Sequence, residues 1–201
     1  MTILNKLNIG VLAIQGDYAA HSEALEESGA IPSLVKTAED LCLDGQSLDG
    51  LILPGGESTT MLKFLERRHL LKALQEFCGK KPVLGTCAGA ILLAREVRNP
   101  PQPSLGVLDA VVERNAYGRQ IDSAILTAET SLPGGPLEMV FIRAPRIAAV
   151  GPEVEVLALR DGSPTLVRQG AVMAATFHPE LTADRRVHRL FVELVASRRS
   201  P

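Results

Sequence analysis

The sequence predicts an α/β fold, a mostly parallel sheet covered by helices on both faces. Three observations point there. Short apolar runs alternate with helical patterns through the first half, their connections are short, and glycine or proline closes most of them. Parallel neighbours need a crossover, usually a helix. Right-handed βαβ units then bury such strands on both sides.

The elements follow in order. Residues 8–14 read as a buried strand and 18–28 as a helix stopped by Gly29, a natural residue beyond a helix end. Leu34 and Val35 lie in a second strand, and residues 50–53 (GLIL) form a third, ended by Pro54-Gly55-Gly56. Helical segments at 59–68 and 69–78 precede a fourth strand at 82–85 and a helix at 88–95. After the proline-rich loop at 99–103 the texture changes to shorter strands at 107–112, 141–143, 154–159, 165–168 and 171–177. An amphipathic helix at 182–198 closes the chain, with Val187, Leu190, Phe191 and Leu194 on one face.

The chain has 201 residues, 46% hydrophobic and 22% charged, which suits one domain spanning 1–201 with a substantial core. A net charge of −2 and 3% aromatics leave no basic footprint and few stacking rings for nucleic acid. The apolar stretch near the N-terminus is too short to span a bilayer and reads as a strand, not a signal segment. Three scattered cysteines without C-x-x-C spacing argue against a disulfide framework or structural zinc, and for the cytoplasm. No cofactor or metal is called for. His21, His69 and His188 fall in helical stretches among charged residues, without ligand spacing.

Gly85-Thr86-Cys87-Ala88-Gly89 is the strongest local signal. A strand ends and a helix begins around a cysteine held between glycines, the pattern of a nucleophile elbow. A cysteine nucleophile needs a base that takes its proton and returns it to the leaving group, and that base needs a third group to fix its tautomer. Phe177-His178-Pro179-Glu180 offers both, with Glu180 reaching the same side as His178 if the tripeptide stays extended at a strand end. Leu53-Pro54-Gly55-Gly56-Glu57-Ser58-Thr59 stands again between strand and helix. Its glycines can aim N–H groups at developing negative charge, or the segment is a turn capped by Ser58 or Thr59.

With these three elements in order, the sequence resembles the class I (triad) glutamine amidotransferases, most closely the glutaminase subunits of pyridoxal 5′-phosphate synthase. The likeness rests on IGVLAIQGDYAAH (9–21), LILPGGESTTM (51–61) and GTCAGAILLA (85–94). It continues in VVERNAYGRQIDS (111–123), FIRAP (141–145) and FHPELTADRRVHRLFVE (177–193), so it covers nearly the whole chain. The resemblance implies a flavodoxin-like three-layer sandwich with a mostly parallel or mixed central sheet. It implies glutamine hydrolysis by Cys87 as nucleophile, His178 as base and acid, and Glu180 as its orienting partner, with Gly56 and Ala88 N–H groups as oxyanion hole. Glutamine contacts carry over to Gly56, Glu57, Ser58, Arg114, Ile142 and Arg143. It further implies a partner, the synthase barrel subunit, which combines the released ammonia with a pentose phosphate and a triose phosphate. Two other readings stay open at this point: a cysteine protein of protease or chaperone type on a related fold, and a regulatory subunit that only binds its partner.

Overall fold

The computed structural model describes residues 6–43, 45–115 and 123–199. Part of the 111–123 block, residues 116–122, lies outside them. The first strands are β1 (Asn8–Leu12), β2 (Ile31–Val35), β3 (Cys42–Leu43), β4 (Gln46–Ser47), β5 (Gly50–Leu53) and β6 (Val83–Thr86). They are followed by β7 (Ala94–Arg98), β8 (Leu108–Glu113), β9 (Ser123–Ala128), β10 (Leu137–Ile142), β11 (Arg146–Val150), β12 (Glu155–Arg160), β13 (Ser163–Gln169) and β14 (Val172–Ala175). The helices are α1 (Tyr18–Glu27), α2 (Ser58–Arg67), α3 (Leu70–Cys78), α4 (Ala88–Leu93) and α5 (Arg186–Arg198).

Seven strands form the central sheet in the order β12-β13-β14-β6-β5-β1-β2. From β2 to β14 every pairing is parallel, and β13 and β12 add an antiparallel edge. The mixed, mostly parallel sheet expected from the sequence is therefore present. Side chains alternate across it as the two-residue period of a strand requires. Leu51 and Leu53 of β5 face a core shared with Met61, Leu65 and Leu74 of α2 and α3. Ile52, together with Val11, Leu84 and Met173, faces the opposite core with Leu25 of α1 and Phe191 of α5. Each fully buried leucine contributes about 2 kcal/mol, so the continuous apolar runs of β5 and β6 secure both layers at once. Among the described residues no helix is long and apolar enough to cross a membrane.

Five strands escaped the sequence reading, two of them the short antiparallel pair β3 and β4. The helix expected over 88–95 stops at Leu93, and Ala94–Arg98 instead pairs in parallel with β8. β11 completes that small sheet, and β9 pairs with β10. Pairing partners far along the chain override weak local propensity here.

β1 feeds α1 and β2 on one side, while β5 lies on its other side. The crevice at the carboxyl ends of these strands is where ligands bind in open α/β sheets.

Candidate active site

Four parallel strands deliver residues to that crevice. Gly16 and Asp17 follow β1, Gly55 to Ser58 follow β5, Cys87 follows β6 and His178 follows β14; all line one cavity of about 280 Å³. That volume suits a small metabolite.

Cys87 occupies the turn between β6 and α4 with φ 47° and ψ −103°. A non-glycine residue in that region stores about 1–3 kcal/mol and persists only where its surroundings enforce it. Here they do. The Cys87 N–H donates to the Ala175 carbonyl of β14 at 2.8 Å. Gly89 lets α4 press against β5, since any Cβ there would overlap the Leu53 carbonyl. Cys87 is 6% exposed, and its Sγ lies 3.9 Å from the Ile142 carbonyl. The other cysteines differ. Cys42 is exposed, outside the cavity, and burial pushes the Cys78 thiol up to about 12.

The His-Pro-Glu segment is not extended, contrary to expectation. His178 has φ −106° and ψ 86°, and Pro179–Leu181 make one turn of 3₁₀ helix. Proline suits the first position of such a turn, where its missing N–H is not needed. The turn swings Glu180 back under His178, so that Nδ1 of the imidazole lies 2.7 Å from Oε1 of the carboxylate. The His178 N–H donates to the Val140 carbonyl of β10 at 2.8 Å, which fixes the segment against a second sheet. Cys87 lines the same cavity beside the ring. Burial alone would lower the pKa of His178, but hydrogen bonds to Cys87 and Glu180, and the charge of both, raise it to about 10. Gly55 closes the ring in from the front: a Cβ there would overlap the imidazole.

The remaining expected contacts gather on the cavity wall. Glu57, not Ser58 or Thr59, caps α2, accepting from the N–H groups of Thr59 and Thr60 at 3.0 and 2.7 Å. The Thr60 hydroxyl and these amides hold its carboxyl well down, at about 2, against a smaller opposing effect of burial. Arg114 donates to Glu57 at 3.2 Å and to the Thr59 hydroxyl at 2.7 Å. Ile142 ends β10 on the wall, and Arg143 follows it with φ 44°, exposed at the cavity mouth. Gly56 lines the cavity with φ 140°. Ala88 is buried at the first position of α4, outside the cavity wall.

A family model, that of the SNO glutamine amidotransferase family, matches residues 11–197. The chain belongs to this family. Among its relatives, the pyridoxal 5′-phosphate synthase subunit PdxT of Koribacter versatilis is 59% identical over 189 residues, covering 94% of this chain and 96% of that protein. The PdxT subunit of Thermotoga neapolitana is 49% identical over 191 residues, covering 94% of this chain and 100% of that protein. A solved structure described as a glutamine amidotransferase superposes with a TM-score of 0.84 at 47% identity, covering 94% of this chain and 98% of that one.

The sequence reading missed several residues of this cavity and its surroundings. Asp17 and Asn115 line the cavity. The loop at 99–104, unassigned from sequence, reaches it through Gln102, whose Oε1 accepts from the Ser58 hydroxyl at 3.0 Å. His21 and His188, read only as helix residues among charges, are wholly buried behind Glu180. A signal for them existed. His21 shares a helix face with Ala24 and Leu25, and His188 shares one with Phe191 and Val195, all of them buried.

Proposed function

We propose that Cys87, His178 and Glu180 hydrolyse L-glutamine to L-glutamate and ammonia, and that the ammonia passes to a pyridoxal 5′-phosphate synthase barrel subunit. The observation that carries this reading is the convergence of an elbow cysteine, a carboxylate-paired imidazole and an Arg–Glu pair on one small cavity. A protease-like site gives no account of the last pair. A free α-amino acid does, because it brings one carboxylate and one ammonium.

In this mechanism the thiolate of Cys87, its proton already held by His178, attacks the side-chain carboxamide carbon. Gly56 and Ala88 offer N–H groups to the oxyanion. The tetrahedral intermediate collapses as His178 gives its proton to the departing nitrogen, releasing ammonia and leaving a glutamyl thioester. His178 then draws a proton from water, whose oxygen attacks the thioester; the proton stays on the imidazole and glutamate leaves, restoring the thiolate. A ring whose pKa is raised to about 10 is well supplied for the donation that frees ammonia. Glu180 holds the imidazole by Nδ1, so that the opposite nitrogen faces the reacting atoms. Arg114 and Arg143 receive the α-carboxylate, and Glu57 the α-ammonium, with Ser58 and Ile142 shaping the wall between them.

The partner is supported by the names of the PdxT relatives and by chemistry, since ammonia released into water is protonated and lost. We take residues 1–201 as one amidotransferase domain working in the cytoplasm, consistent with three free cysteines. The test is ammonia release from glutamine, with and without a synthase subunit, by the wild type and by Cys87→Ala. Release by the wild type that Cys87→Ala abolishes supports the reading. Equal release by both proteins overturns it.

A further inference from the structure

The side of Glu180 turned away from the cavity meets a group of polar side chains that the mechanism above does not use. Its Oε2 lies 3.3 Å from Nε2 of His21. That nitrogen is 3.1 Å from the hydroxyl of Thr86, the residue before the nucleophile. Nδ1 of His21 is 3.0 Å from Nε2 of His188. His21, Thr86 and His188 are 0% exposed and Glu180 4%. α1, the end of β6 and α5 thus meet at the His21 ring, which faces one carboxylate oxygen.

Buried polar atoms seek partners, and that requirement fixes the tautomers. Glu180 Oε2 is buried without a well-formed hydrogen bond, and His21 Nε2 stands within ion-pair distance of it. If His21 carried its proton on Nδ1, a lone pair on Nε2 would face the carboxylate and Oε2 would stay unpaired. With the proton on Nε2, His21 donates to the Thr86 hydroxyl and leans toward Oε2, and its Nδ1 accepts. His188 must then donate from Nε2, which leaves its own Nδ1 bare. That atom has no partner, as a bare acceptor can tolerate better than an N–H. Burial keeps both rings neutral: it lowers His21 well below the ordinary range, helped by His188 and His178, and takes His188 down to about 3, helped by Arg185.

We propose that His21 is a positioning residue of the amidotransferase: its Nε2–H, in a tautomer set by His188, grips Oε2 of Glu180 and holds the carboxylate in the orientation that Oε1 needs to align His178. This rests on the Cys87, His178 and Glu180 reading. Partners that orient a functional group from behind carry about 10- to 100-fold in activity at metal sites, and a carboxylate with one anchored oxygen presents the same problem.

The experiment compares His21→Leu, His21→Gln, His188→Met and Cys87→Ala with wild type, as glutaminase in the presence of synthase. Alkylation of Cys87 by iodoacetamide is followed in parallel on a Cys42→Ser background, which needs neither glutamine nor partner. His21→Leu is expected to lower kcat about 10- to 100-fold with KM unchanged, and to slow Cys87 alkylation. His21→Gln restores an N–H donor and should recover most of both rates, which a merely space-filling role would not require. Should His21→Leu fail to fold, His188→Met carries the test, with a fall in kcat of about 3- to 10-fold expected. A folded His21→Leu with wild-type kcat, or a folded His188→Met with wild-type kcat where His21→Leu does not fold, overturns the proposal while an inactive Cys87→Ala leaves the triad standing. An active Cys87→Ala would remove the triad and the proposal together.

Discussion

The two sides of Glu180 use the same side chain to opposite ends. In front, His178 touches a thiol and a carboxylate oxygen at the cavity edge, and its pKa rises to about 10. Behind, His21 sits 3.3 Å from the other oxygen of the same carboxylate, yet its pKa is driven well below the ordinary range. Proximity to an anion should raise both. The difference is that His21 is wholly enclosed, so desolvation of a charge outweighs one imperfect contact, and a neighbouring imidazole adds to the penalty. One histidine is thereby equipped to carry a proton, while the other can only donate a hydrogen bond. Strain divides the same way: Cys87 and Arg143 in front have positive φ, whereas His21 and His188 lie in regular helices.

The largest effect tests the front side directly. Cys87→Ala and His178→Asn should each lower kcat on the order of 10⁴-fold or more, because triad members act as a unit. Glu180→Gln should cost less than His178→Asn, since it orients the imidazole without moving protons. Steady-state glutamine turnover with the partner present measures all three. A Glu180 variant deader than the His178 variant would reverse the assignment of roles.

Stability supplies the next contrast. His178→Ala leaves the carboxylate of a buried pair without its cation, a loss of about 3 kcal/mol. The sign with pH follows from the raised pKa. Stabilisation from His178 is complete below its ordinary 6.5 and disappears as pH rises through about 10. Chemical denaturation from pH 6 to 10 should therefore show wild type and His178→Ala converging toward alkaline pH. Parallel curves would mean that the imidazole gains nothing from its partners.

The back side predicts the opposite slope. His188 stays neutral in the fold but takes a proton in the unfolded chain once pH drops below 6.5. It should therefore destabilise the protein by about 1.4 kcal/mol for each pH unit below that value, levelling off near its folded pKa of about 3. Denaturation of His188→Met between pH 6.5 and 4.5 should show a correspondingly shallower loss than wild type. An unchanged slope would place the acid sensitivity elsewhere.

The same division explains what the sequence disclosed. β5, β6 and the elbow were legible because local grammar writes them: an apolar run, small residues, then a helix. Glycines 85 and 89 stand where backbone meets backbone, and that need is visible in five consecutive letters. The 3₁₀ turn at Pro179–Leu181 was not legible, because it is set by a hydrogen bond to β10 and by Glu180 seeking His178 across a bend. His21 and His188 lie 167 positions apart. No local pattern joins them, although each stands on the apolar stripe of its own helix. The start of β7, Ala94 and Arg95, read as the end of a helix for the same cause, since its partner β8 comes only after the loop at 99–104.

The smallest effect isolates the strain at the elbow from its chemistry. Cys87→Ala and Cys87→Gly both remove the thiol, so both should be inactive, and they differ only in what the backbone tolerates. At φ 47° alanine keeps the clash of its Cβ with the following carbonyl, while glycine has none to keep. Glycine also makes the unfolded chain freer, which works against it by somewhat under 1 kcal/mol. Strain of about 1–3 kcal/mol exceeds that, so the glycine variant should be the more stable by about 1 kcal/mol. Paired thermal or urea unfolding of the two inactive proteins measures the difference without any interference from catalysis. The matching exchange behind Glu180, His188→Ala against His188→Gly, should give the reverse order, because helical backbone favours alanine by roughly 1 kcal/mol. If the alanine variant wins at both positions, the elbow is relaxed, and what separates the two sides of Glu180 is electrostatic alone.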